Sequence, residues 1–192
     1  KKLMIEQFNS FQTKKYGYVS YINRGITLSN SWNDKNASKN NILNGESSPL
    51  FDNLERYYQD SYFSIIPETS NGIYVSEKTT KVLYHGHPFI LIYPAVDIES
   101  PKTGMLEKLR EWGFETFPEL FDESYDDIKS ASDRFNKVLE NIESVCKMNP
   151  QKLNSLYHDV LVDKVKYNQD LFINFDRKTH SKGFFEQFKW EI

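Results

Sequence analysis

Four side chains that sit close together in the sequence, Glu68, Ser76, Glu77 and Lys78, offer the clearest chemistry. Ser76 is a capping type, and Glu77 and Lys78 would fall in the first turn of the helix it starts. The first turn of any helix leaves backbone N–H groups outside the hydrogen-bond ladder. A lysine there opposes the helix dipole and is mildly unfavourable unless an anion joins it. N–H groups, a hydroxyl and an ammonium at one helix start suit an anion such as a diphosphate. Each residue also has a structural reading. Ser76 is a cap first and a ligand second, Glu77 is favourable in a first turn anyway, and Lys78 could simply be an exposed lysine. Tyr74 stands in the loop that enters the helix. Glu68 follows an apolar run at what would be the C-terminal edge of a strand.

The surrounding sequence supplies elements to position them. Tyr62–Ile66 and Pro88–Tyr93 are short apolar runs bounded by turn signals, and both read as buried strands. Between them a short helix starts at Ser76 and ends at Gly86 in the left-handed conformation. Upstream, Tyr16–Ile22 reads as the first buried strand, with Asn23-Arg24-Gly25 in the turn at its C-terminal end. Open α/β sheets bind ligands at the C-terminal ends of their strands, which makes Arg24 a further candidate beside its reading as a surface arginine. Residues 25–50 form a long polar loop that could cover a ligand, and Pro49–Gln59 has helical spacing. Downstream, Gly104–Trp112 predicts a helix stopped by Gly113, followed by a short strand, Phe114–Phe117. Ser132–Met148 and a helix restarting at Pro150 carry clear apolar faces, the second through Leu153, Leu161 and Val165. The aromatic residues of 169–192 suggest a final helix that packs back on the domain. The predicted fold is α/β: one domain over residues 1–192, a Rossmann-like parallel sheet with a mainly helical C-terminal part from 130 on.

Bulk properties narrow the function classes. The net charge is −3 and there is no long basic run, so nonspecific nucleic-acid binding is not expected. No apolar run is long enough to span a membrane and no signal peptide opens the sequence, which points to the cytoplasm. A single cysteine, Cys146, excludes an internal disulfide or a cysteine zinc cluster, and its helix position suggests a buried, inert thiol. His85 and His87 flank Gly86, but no third ligand accompanies them, so no metal is expected there. Asp122–Asp127 is an acidic box that reads as a solvated turn capping the next helix, with Tyr125 packed inward. Gly-x-Ser-x-Gly, P-loop and Gly-x-Gly-x-x-Gly patterns are absent.

The stretch Glu68, Tyr74-Val75-Ser76-Glu77-Lys78, then Gly86-His87-Pro88 before an apolar strand, resembles the donor-binding motif of the α1,3-fucosyltransferase type. Residues 61 to 168 also resemble a group of glycosyltransferase-like proteins from phages, giant viruses and marine bacteria. The shared motifs are Ser76–Thr79, Gly86–Ile90, Leu109–Phe117 and Asp122–Asp126. The resemblance implies one half of a two-domain glycosyltransferase of the GT-B type. It implies a nucleotide-diphosphate sugar as donor, a glycan or other acceptor, and no metal cofactor. Lys78 would neutralise the diphosphate, with Arg24 in the place of the basic residue that follows the family's first strand. Glu77 would hold the ribose hydroxyls, and Tyr74 would stack or hydrogen-bond on the donor. Glu68 matches the glutamate that opens the motif. Thr69 stands where that family carries Asn, which leaves the sugar and base open. The family's general base lies in a second domain that has no match here. The chain would then be a fragment, an enzyme completed by its long loop or a second copy, or a noncatalytic module that binds a nucleotide or glycan.

Overall fold

The computed structural model describes residues 19–21, 26–29, 58–68, 75–93 and 104–174. The chain divides into two compact units, Lys1–Ser61 and Tyr62–Ile192.

In the first unit, β1 (Val19–Tyr21) and β2 (Ile26–Ser29) pair antiparallel, with Val19 opposite Ser29 and Tyr21 opposite Ile26. This corrects the expectation that Tyr16–Ile22 belongs to the parallel sheet. The link over residues 22–25 is far too short for the crossover that a parallel neighbour requires, and Asn23 and Gly25 are hairpin-turn types. β2 also occupies the start of the stretch expected to be a polar loop. Of the predicted helix Pro49–Gln59, only its last two residues are described, and they are helical.

The second unit is built on a parallel strand–helix–strand unit, as the sequence predicts. β3 (Ser64–Pro67) and β4 (Phe89–Ile92) pair in register from Ser64 with Phe89 to Pro67 with Ile92. Each is shorter than the apolar run that encodes it. The crossover carries α1 (Glu77–Tyr84), which buries Thr79, Thr80, Val82 and Leu83. Gly86 ends it with φ of 59°, a conformation that costs side-chain-bearing residues about 1–2 kcal/mol. Ile90 and Leu91 on β4 are fully buried, each gaining roughly 1.5–3 kcal/mol by leaving water. The described parallel sheet has these two strands, and most of the remaining described chain is helical. The α/β class therefore holds, with a smaller sheet than a full Rossmann-like unit.

Beyond β4 come α2 (Met105–Glu111), a 3-10 turn (Glu123–Asp127), α3 (Ala131–Cys146) and α4 (Pro150–Leu156). A π-helical turn (Tyr157–Leu161) then leads into α5 (Val162–Ile173). The expected restart at Pro150 is present, with Asn149 capping the N–H groups of Gln151 and Lys152 at 2.9 and 3.3 Å. The π turn inserts extra backbone into what the sequence suggests is one continuous helix. Val160 and Tyr157 are consequently only half-buried, whereas Leu153, Leu161 and Val165 reach the core. Cys146 is half-buried, and burial raises its thiol pKa, which suits an unreactive role. No helix among the described residues is long and apolar enough to cross a membrane.

Two further expectations are corrected. Phe114–Phe117 is not a strand, because local backbone and distant side chains rather than a neighbouring strand take up its backbone groups. Asn168 accepts from Glu115 N–H at 2.8 Å and donates to Glu115 C=O at 2.9 Å. Glu123 accepts from Phe117 N–H at 2.7 Å, and Lys164 donates to Thr116 C=O at 3.1 Å. The acidic box does form a turn with Tyr125 buried, but it does not cap the next helix. Ser130 caps α3, accepting from Asp133 N–H at 3.3 Å. The box instead serves the preceding helix, α2, through Asp126.

Candidate functional site

The start of α1 brings together Glu68, Ser76, Glu77 and Lys78. Ser76 has an extended backbone (φ −90°, ψ 178°), and its Oγ accepts from the Lys78 N–H at 3.2 Å. The expected cap is therefore in place. Its position is fixed from the sheet. Glu68 follows β3 directly, and its Oε1 accepts from the Ser76 N–H at 3.0 Å and from the Thr79 hydroxyl at 2.5 Å. These bonds clamp the end of β3 to the first turn of α1. Glu68 is only 5% exposed, and its Oε2 makes no hydrogen bond to the described residues. A buried carboxylate oxygen without a partner is costly, and such groups call for an explanation in strain, water or a ligand.

Lys78 is where the electrostatics concentrate. Its side chain turns back toward the helix start, as helical side chains tend to do. The Nζ lies 3.1 Å from Ser76 Oγ and 3.2 Å from Glu77 Oε1. A cation thus stands over the positive end of a helix, with its own neighbour as counter-ion. Burial pushes the Glu77 carboxyl up, but the hydrogen bond and charge of Lys78, with help from Lys81, bring it below its ordinary value. Lys78 remains about one-third exposed, so the pair can be reached from solvent. An incoming oxyanion would meet an ammonium, a hydroxyl and first-turn N–H groups, and would take over the role that Glu77 plays toward Lys78.

Arg24 and Tyr74 lie outside the described residues, as does Thr69. The hairpin formed by β1 and β2 means that the strand preceding Arg24 is not part of the parallel sheet. Sequence reasoning missed Thr79, which is fully buried and holds Glu68. Its signal was a hydroxyl three positions beyond the cap, on the face of α1 turned toward β3. The histidines have structural roles. His87 Nδ1 lies 3.0 Å from Ser64 Oγ, and His85 closes α1 by donating its N–H to Lys81 C=O at 3.0 Å. Among the described residues no group of three or more His, Cys, Asp or Glu side chains is placed to hold a metal ion.

Comparison with protein-family models, curated proteins and solved structures yields no match.

Proposed function

We propose that the start of α1 binds the diphosphate of a nucleotide sugar and that the chain serves glycosyl transfer without a metal. The observation that carries this is Lys78 folded back over the helix start, 3.1 Å from Ser76 Oγ, where a cation is unfavourable until an anion arrives. The parallel β3–α1–β4 unit supports the reading, because it delivers this helix start at the C-terminal end of a strand. The negative charge that builds on a departing diphosphate is what fixed cations and N–H groups stabilise. Lys78 would be the principal group, with Ser76 beside it and Tyr74, in the segment that enters the helix, as a further donor contact. Glu77 would exchange its contact with Lys78 for the ribose hydroxyls. Glu68 would hold the loop, and its unpartnered oxygen would accept from the donor.

A thermal-shift panel of nucleoside diphosphates, GDP-fucose, GDP-mannose and UDP-sugars tests the proposal. A ligand at a hundred times its dissociation constant adds about 2.7 kcal/mol, a rise of several degrees in the unfolding midpoint. A selective rise that disappears in Lys78→Ala is expected. No rise with any member of the panel would remove the proposal.

A second reading is a noncatalytic module that binds a nucleotide or glycan. Such a module needs only the β3–α1–β4 unit and the helix start it presents. Release of free nucleotide from a bound nucleotide sugar, with or without an acceptor glycan, distinguishes the enzyme from the module. An enzyme of this kind would draw its missing base from a further domain or from a second copy of the chain.

A further inference from the structure

We propose that a cleft between α2, the 114–118 segment and α5 binds a neutral, polyhydroxylated ligand of the sugar class. This inference does not rest on the α1 reading and shares no residue with that site. The cleft holds about 440 Å³, within the range of small-molecule sites. Its polar lining comes from Arg110 on α2, Glu115 and Thr116 on the segment, Glu123 on the acidic turn and Lys164 on α5.

The chemistry of these groups selects the ligand class. Two cations and two carboxylates line the cleft, so their formal charges cancel. A free anion would face Glu115 and Glu123, and a free cation would face Arg110 and Lys164. The groups already satisfy one another in part. Arg110 Nη1 donates to Thr116 Oγ1 at 3.1 Å and to Glu123 Oε2 at 3.0 Å, and the Thr116 hydroxyl donates to Glu123 Oε2 at 2.9 Å. Lys164 Nζ is held by Glu119 at 2.7 Å and by the Thr116 carbonyl at 3.1 Å. Both of these Arg110 bonds use Nη1, and the Arg110 side chain is nearly half exposed. The fork of an exposed guanidinium beside a carboxylate matches adjacent hydroxyls, one accepting from the arginine while the other donates to the glutamate. Such a ligand leaves the ion pairs intact.

Two features prepare the cleft. The Glu115 backbone is gripped on both sides by Asn168, which fixes the wall before any ligand arrives. Glu123 is largely buried, and burial pushes its carboxyl pKa up against the opposing hydrogen bonds from Thr116 and Phe117. A ligand hydroxyl donating to it would offset that desolvation.

The test is an amide-shift titration of the full isotope-labelled chain with methyl glycosides of glucose, galactose, mannose and N-acetylglucosamine. Acetate and ethylammonium serve as the charged controls. Saturable shifts at Glu115, Thr116 and the Arg110 side chain are expected with at least one glycoside and with neither control. Arg110→Ala should weaken that binding about tenfold while the rest of the spectrum is kept. Arg110→Lys, which keeps the charge and loses the fork, should weaken it as well and serves if the alanine variant unfolds. The proposal is overturned if no glycoside binds, if a control binds in its place, or if the shifts fall at residues 76–79. Nucleotide binding lost in Lys78→Ala is a separate readout, so either site can fail alone.

Discussion

α1 and α2 begin in opposite ways. At α1 the cap is local: Ser76 satisfies the Lys78 N–H, and a lysine in the first turn leans over the helix start. At α2 the cap residue is Gly104, which has no side chain to offer, and the anion comes from far along the chain. Asp126, on the 3-10 turn, accepts from Leu106 N–H at 3.0 and 3.1 Å through its two oxygens and from Glu107 N–H at 3.1 Å. The Tyr93 hydroxyl also donates to it, and the Arg134 guanidinium covers the Tyr93 ring at 4.4 Å. Every helix start favours negative charge. α2 receives its carboxyl acceptor from the protein, buried by the fold. α1 holds a cation within reach of solvent, whose counter-ion among the described residues is its neighbour Glu77. One helix start is closed by the fold, and the other is available to a ligand.

The largest expected effect lies on the closed side. Asp126→Ala leaves two helix N–H groups without their acceptor and the buried Tyr93 hydroxyl with only the Asp126 carbonyl at 3.4 Å, and it should destabilise the chain by about 3 kcal/mol. Urea unfolding checks this, and a loss near zero would break the comparison. Gly104→Ala should be nearly as damaging, because a Cβ there would lie 2.0 Å from Asp126 Oδ2. At the open start, Ser76→Ala removes only a local cap and should cost about 1 kcal/mol in the same assay. A cost equal to that of Asp126→Ala would mean that both starts are structural.

The smallest effects separate two neighbours in the acidic box. Glu123 has its carboxyl pKa raised by burial above the ordinary 4.5. Its stabilising share is complete below the unfolded value and is lost as pH rises through the folded one. Asp122 is exposed, and its pKa is lowered to about 2 by the Lys137 hydrogen bond, with Ser124 adding to it. Its share is present above the unfolded value of 3.8 and is lost as pH falls toward 2; solvent screening keeps it small. Thermal midpoints measured across the acid range should therefore change slope in opposite senses in Glu123→Gln and Asp122→Asn. Slopes of the same sign would contradict these environments.

What could be read from the sequence was local. Ser76, Gly86, Asn149 and Pro150 act on backbone within a few positions of themselves, so their types announced the boundaries of α1 and α4. The helical faces were legible for the same reason, up to the π turn, which no periodicity reveals. Two of the misreadings involve partners distant in sequence. Asp126 caps a helix that precedes it by the length of a loop and a turn. Asn168 takes the place of a strand neighbour for Glu115 from the far end of the chain. The antiparallel hairpin was missed because the short apolar run at Ile26 was read as part of a polar loop. At the candidate site, the helix start with Ser76 and Lys78 was visible. The burial of Glu68 and its clamp on Thr79 required the fold.

The most direct measurement is calorimetric titration of GDP and UDP into the wild-type chain and into Lys78→Ala. The account predicts that one of them binds the wild type and that the variant loses about tenfold or more of that affinity, ~1.4 kcal/mol at least, without losing stability. Equal affinity in both proteins, or no binding by the wild type, would contradict it.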